Sequence, residues 1–305
     1  MSLDDLIHRP RSRPEDLVPS RYAVRIGDID VLVVSDGVLP LPTKMLGHNA
    51  DDAVRDAWLK EMFLPHDAFD WALNAVMIRS GGQTILIDAG LGLDPKLNLP
   101  RAGQLVRRLE AAGIHLPSVT DIVLTHMHMD HVGGLLVDGV KEQLRPDLRI
   151  HVSADEVRFW EAPDFSHVFM PPGFPDALRS TARRFAEAYG RQLKTFEDDA
   201  VIAPGVTVRR TGGHTPGHSV VRMASGSDAL TFAGDAIFAV GFEHPDWFNG
   251  FEHDPEEAVR VRVRLLTELA RTGEQLVATH LPFPSVGRVA VEGNHFRWVP
   301  AFWDY

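Results

Sequence analysis

The 305-residue chain carries 31 Lys and Arg against 42 Asp and Glu, a formal charge of −11. That balance argues against a phosphate-backbone partner, because nucleic-acid binders usually show a basic footprint. The chain has no cysteine, which excludes disulfides, thiolate metal ligands and thiol nucleophiles, so a transition-metal site must be built from His and carboxylate.

Residues 1–20 are rich in Arg and Pro without periodicity and read as an extended arm, leaving 21–305 as a single domain. No apolar signal core follows, and no run approaches the roughly eighteen apolar residues of a membrane span. The expectation is a cytoplasmic protein without a membrane partner. "YAVRIGDIDVLVVSDG" predicts a hairpin turning at Gly27-Asp28. "NAVMIRSGGQTILIDAGLG" predicts strand, Gly81-Gly82 turn, strand, then a Gly-rich loop after Asp88. "QLVRRLEAAGI" has the spacing of an amphipathic helix ending at Gly113. "VTDIVLTHMHMDHVGG" is a buried strand running into a cluster of histidines.

In "RIHVSADEVRFWEA" a strand leads into a helix, with Ser153 and Glu156 spaced as a capping box. Residues 163–175 are proline- and aromatic-rich, and a helix is predicted over about 176–190. "GVTVRRTGGHTPGHSVVRMASGSDALTFAGDAIF" alternates strands with Gly-rich loops. "DPEEAVRVRVRLLTELART" is a long helix, "QLVATHLPFP" one more strand, and the chain ends in an aromatic segment. The order ββ…α…β, run through twice, predicts an α/β fold of two sheets packed face to face with helices outside.

The candidate chemistry sits where strand-like runs end, which is where α/β proteins build sites. These positions are His126, His128, Asp130 and His131, then His214, Asp235 and His280, with Asp88 beside them. In an extended segment residues 126, 128 and 130 project to one side, and His131 can turn in as a helix begins. His126 and His128 could then hold one metal while Asp130 and His131 face another. Imidazoles with a bridging carboxylate suit zinc, and two such ions can share one hydroxide.

This set, H-x-H-x-D-H followed by His, Asp and His, resembles the metallo-β-lactamase fold superfamily over roughly residues 22–300. The resemblance implies an αββα sandwich of two mixed sheets. It implies a first metal on His126, His128 and His214, a second on Asp130, His131 and His280, and Asp235 between them. Asp88 and His218 would orient ligands from behind. Two divalent ions are implied, zinc first, with iron or manganese as alternatives.

The C-terminal stretch "HLPFPSVGRVAVEGNHFRWVP" looks most like the lactonase and parathion-hydrolase branch. Many homoserine lactonases carry a tyrosine three residues after the bridging aspartate. Phe238 stands there, which suits an apolar or aromatic ester or lactone and makes Phe238 a candidate substrate contact. The implied activity is lactone opening or ester cleavage by a metal-bridging hydroxide, with Asp130 passing a proton to the leaving oxygen. Organophosphate triester hydrolysis is the alternative. Glutathione thioester hydrolysis comes third, because no basic cluster follows Asp235, and a mononuclear-iron sulfur dioxygenase would use the same ligand frame. The expected partner is a small-molecule substrate, and that branch's dimers make a homodimer the expected assembly.

Overall fold

In the computed structural model, which describes residues 19–92 and 99–302, the β-rich runs about Gly27 pair as β1 (Arg21–Ile26) and β2 (Ile29–Pro42). The long β2 continues against β3 (Ala68–Ser80), which turns through Gly81-Gly82 into β4 (Gln83–Ile87). Both glycines have positive φ, the conformation that a two-residue hairpin turn demands. Parallel strands β5 (Asp121–Val123), β6 (Arg149–Ser153) and β7 (Leu193–Phe196) complete the first sheet, in the order β1 to β7.

The second sheet runs β14 to β8. It contains β8 (Asp199–Ala203), β9 (Val206–Arg210), β10 (Ser219–Ser225), β11 (Asp228–Phe232), β12 (Gln275–Val277), β13 (Gly287–Glu292) and β14 (His295–Pro300). Between the sheets lies an apolar core to which Val31, Val33, Val76 and Ile87 contribute from one side and Val208, Val221, Phe232 and Val277 from the other. β-Branched residues alternate onto these inner faces, which is why they form strands here.

The outer faces are covered by helices. Leu105–Glu110 and Phe174–Tyr189 pack on the first sheet, and Pro255–Thr272 packs on the second through Val261, Leu265, Leu266 and Leu269. The predicted αββα sandwich is therefore the observed architecture, and no helix among the described residues is long and apolar enough to cross a membrane. Residues 1–18 of the predicted arm lie outside the described residues.

Some strands differ from the sequence expectation. β7 and β8 were not expected, because the polar run "LKTFEDDAVIA" lacks the alternation of a half-buried strand. The terminal segment forms the β13–β14 hairpin, closed at Gly293-Asn294, a turn signal that was present in the sequence.

What positions the site is parallel pairing. β4 and β5 run parallel, as do β11 and β12, so the loops after all four leave from one edge of the sandwich. Asn74 of β3 ties the sheets together there, donating its side-chain amide to the carbonyls of Thr279 (2.9 Å) and Leu281 (2.8 Å) on either side of His280.

A candidate dinuclear metal centre

The loops after β4, β5, β11 and β12, with the β9–β10 loop, bring Asp88, His126, His128, Asp130, His131, His214, Asp235 and His280 to this edge. Three groups of side chains each place one ligand atom apiece within 4.8 Å of one another: His126, His128 and His214; His126, His131 and Asp235; Asp130, His131 and His280. The histidines and Asp235 are buried.

His131, His280 and His126 are held from behind so that one nitrogen faces inward, whereas His214 Nδ1 is buried without a partner. His131 donates Nδ1–H to Asp88 at 2.7 Å, which leaves Nε2 3.3 Å from Asp235 and 3.6 Å from Asp130. Asp88 itself has φ +56°, a conformation rare for a side-chain-bearing residue. The strain is offset by two bonds at 2.8 Å, from the Thr125 amide and hydroxyl. His280 donates Nδ1–H to the Ala72 carbonyl at 2.8 Å, and its Nε2 lies 2.9 Å from Asp235 and 3.5 Å from Asp130. His126 Nδ1 contacts the Thr125 hydroxyl at 3.0 Å. His214 Nε2 lies 3.1 Å from His128 Nδ1 and 3.4 Å from Asp235.

Such crowding leaves polar atoms unsatisfied. His126 Nε2, His131 Nε2 and Asp235 Oδ1 are buried without a hydrogen-bond partner. An orphaned buried polar atom typically costs about 1–3 kcal/mol. Several of them converging on one point is the arrangement a cation resolves, and neutral imidazoles with carboxylates are the donor set for zinc-like ions. Charge agrees with this. Burial, reinforced by the neighbouring imidazoles, pushes His126, His128 and His214 well below the ordinary histidine range. Burial works the other way on Asp235, yet His280 and His131 hold its carboxyl well below the usual range.

His218 spends both nitrogens elsewhere. Nε2 accepts the Asp235 amide at 3.1 Å and Nδ1 meets the Thr211 hydroxyl at 2.8 Å, with burial holding its pKa down to about 4. It anchors the Asp235 backbone rather than facing the centre. Phe238 is buried and stacks flat on His280, centroids 5.4 Å apart at 10°, with Trp71 edge-on at 4.9 Å. The cavity over the cluster is narrow and walled by Leu39, Leu41, Trp71, Phe174, Leu178 and Phe251. Among the described residues no Lys or Arg lines it.

Two residues that matter here carried no signal of a role at the site. Glu156, spaced for a capping box, does not cap: Ser153 instead takes the Asp155 amide at 3.2 Å. The buried Glu156 carboxylate accepts four donors, the Met127 amide (2.9 Å), the Trp160 indole (2.7 Å), the Thr215 hydroxyl (2.6 Å) and the Gly217 amide (3.1 Å). It staples the 126–131 loop to the His214 loop. Gly217 must be glycine at that staple, because a Cβ there would sit 2.2 Å from the Glu156 backbone nitrogen. The other is His253, whose Nε2 lies 3.3 Å from His128 Nε2. It stands in no local pattern, and sequence spacing could not have found it.

The metallo-beta-lactamase superfamily model matches residues 69–280, more than half of the chain. The chain belongs to that superfamily. Within it, a solved structure of AidC, a dizinc quorum-quenching lactonase with N-hexanoyl-L-homoserine product, superposes with a TM-score of 0.85 at 26% identity, covering 94% of this chain and 99% of that one. The beta-lactamase-superfamily hydrolase AbOPH superposes with a TM-score of 0.82 at 26% identity over the same shares. A probable metallo-hydrolase of Mycobacterium tuberculosis strain H37Rv is 26% identical over 204 residues, 57% of this chain. The match spans only 60% of that curated relative's length.

Proposed function

We propose that the chain is a dinuclear metal-dependent hydrolase that opens lactones or cleaves carboxylic esters. The observation that carries this reading is the convergence of seven His and Asp side chains, all but Asp130 buried, with unsatisfied inward atoms, beneath an apolar cavity that no described Lys or Arg lines. His126, His128 and His214 would hold one ion and Asp130, His131 and His280 the other, with Asp235 between. Two divalent ions, zinc by donor set, supply a nucleophile at neutral pH and polarise the substrate's carbonyl oxygen when bound.

The chain's own contribution is orientation and proton handling. Asp88 and the Ala72 carbonyl fix His131 and His280 in the tautomer that leaves Nε2 free. Asp130 is the acid that lines the cavity beside those rings, and it would hand a proton to the departing alkoxide oxygen. Leu39, Leu41, Phe174 and Phe251 exclude water and seat an apolar substituent. A wall without Lys or Arg among the described residues favours a neutral ester or lactone over a polyanionic glutathione thioester. The likeness to AidC supports the lactone class.

A panel on metal-analysed protein tests this: homoserine lactones of short and long chain, an aromatic lactone, an aryl ester and paraoxon. Lactone turnover lost on chelation is the expected result, and faster paraoxon turnover would shift the reading to phosphotriesters. Two bound metals with no turnover of any panel member would sink the substrate class. One iron per chain with oxygen uptake would sink the hydrolase. The reading extends to a homodimer, for which the Arg- and Pro-rich N-terminus suits an exchanged contact. A single-chain mass by light scattering would end that part of it.

A further inference from the structure

His128 uses its two ring nitrogens differently. Nδ1 lies 3.1 Å from His214 Nε2, on the side of the centre, while Nε2 lies 3.3 Å from His253 Nε2, on the side of the protein. A neutral imidazole that offers Nδ1 to a cation must carry its proton on Nε2. That proton needs an acceptor, and His253 Nε2 stands where the acceptor belongs.

The placement of His253 is built rather than incidental. Its ring packs between Phe159 (centroids 4.8 Å) and Phe165 (5.3 Å). Its amide donates to the His214 carbonyl at 2.8 Å, and the next amide, of Asp254, donates to Gly213 at 3.0 Å, so the segment is sewn to the loop that carries a second ligand. One residue upstream, Glu252 is fully buried and pairs with the equally buried Arg262. Arg262 also donates to the carbonyls of Pro245 and Trp247, each at 2.8 Å. Glu252 in turn accepts the Asn249 amide at 2.8 Å. The segment 245–254 is therefore clamped at both ends around His253, and Phe251 within it holds φ +67° while walling the cavity.

We propose that His253 is a positioning residue for His128: its Nε2 accepts the His128 Nε2–H, which sets the tautomer and turns Nδ1 toward the metal. The inference rests on the dinuclear reading above. It assigns to a second histidine the role that a carboxylate or carbonyl plays behind His131 and His280.

The test pairs two substitutions. His253→Phe keeps the packing against Phe159 and Phe165 but removes the acceptor, whereas His253→Gln restores an acceptor oxygen. Metal-free protein is titrated with zinc against a chromophoric chelator, and with cobalt(II) followed by its visible absorption. Loss of an outer-shell partner typically weakens metal affinity about 10–100-fold. That loss is expected at one of the two sites in His253→Phe, with an altered cobalt spectrum, and most of it should return in His253→Gln. Unchanged affinity in His253→Phe, or equal losses in both variants, would overturn the proposal, since the ring would then only fill space. If His253→Phe does not fold, long-range ¹⁵N–¹H spectra of the zinc-loaded wild type decide the matter. A proton on His253 Nδ1 supports acceptance at Nε2, and a proton on Nε2 overturns it. A wild-type chain that takes up no metal would sink the dinuclear reading itself, a result distinguishable from two bound metals with indifferent variants.

Discussion

The two halves of the centre are held in contrasting ways. His131, on the short helix Met129–Val132, and His280, three residues past β12, are braced by Asp88 and the Ala72 carbonyl, groups that belong to β4's end and to β3. His128 and His214 lie in loops, and their bracing comes from Glu156, on the helix Ala154–Glu161, and from the 245–254 segment. The first half inherits its geometry from the sheet ladder. The second half depends on buried charges that pull separate loops together, so it is more easily disturbed at a distance. Loops at functional sites commonly come from the less stable parts of a fold.

Removing Asp235, which faces both halves, should have the largest effect. Asp235→Ala is expected to lower metal content below two per chain and turnover by at least about 10³-fold, because an ion supplies several kcal/mol of charge stabilisation. Mass spectrometry of metals with the lactone assay checks this, and a fully loaded, active variant would remove Asp235 from the centre. Breaking the clamp of the loop-held half comes next. Arg262→Met strands the buried Glu252 charge, a change that typically costs about 3–5 kcal/mol, read by urea unfolding of metal-free protein. If stability falls by less than about 1 kcal/mol, the pair is not the anchor of that half.

On the strand-held half, Asp88→Asn is expected to weaken one metal site about 10–100-fold while leaving the fold intact. If the two halves are braced separately, the cobalt spectrum changes at a different site from that altered by His253→Phe. Disturbance of the same site by both variants would mean that the bracing is shared.

The smallest effect belongs to Glu156→Gln. The amide has one acceptor oxygen for four donors, so a loss of about 1–3 kcal/mol is expected. Burial pushes the Glu156 carboxyl above its ordinary range, outweighing the Thr215, Trp160, Met127 and Gly217 donors. The folded state therefore binds that proton more tightly than the unfolded chain does. The wild type's advantage over Glu156→Gln is expected to shrink as pH rises from the ordinary glutamate value upward. Denaturant melts of metal-free protein across that range measure it, and an advantage that grows with pH would mean the carboxylate is held charged.

Chelation acts on both halves at once. A metal that binds only the folded chain adds about 4 kcal/mol at a thousandfold excess over its dissociation constant. The thermal midpoint should drop with a chelator in the wild type and drop less in Asp235→Ala.

Much of this was legible in the residues. Alternating β-branched runs, Gly-Gly and Gly-Asp turns and the 3.6-residue period of 255–272 are local signals, and local sterics enforce them whatever the rest of the chain does. The ligand set was legible for a different reason. Its spacing within 126–131 is short-range, and the other members stand at strand ends whose position follows from the strand pattern. Edge strands β7 and β8 were not legible, because an edge strand is polar on purpose and loses the alternation that marks a strand.

The sequence by itself determined that metal-binding side chains crowd the ends of buried strands, and that no cysteine shares the work. Only the tertiary structure decided what holds them. Glu156 reads as an ordinary capping residue until the 126–131 and 213–218 loops close over it. His253 reads as an unremarked surface histidine until the Glu252–Arg262 pair folds its segment against His128. Partners of this kind are chosen by distance through space between segments far apart in the chain. No periodicity or spacing along one segment carries that information.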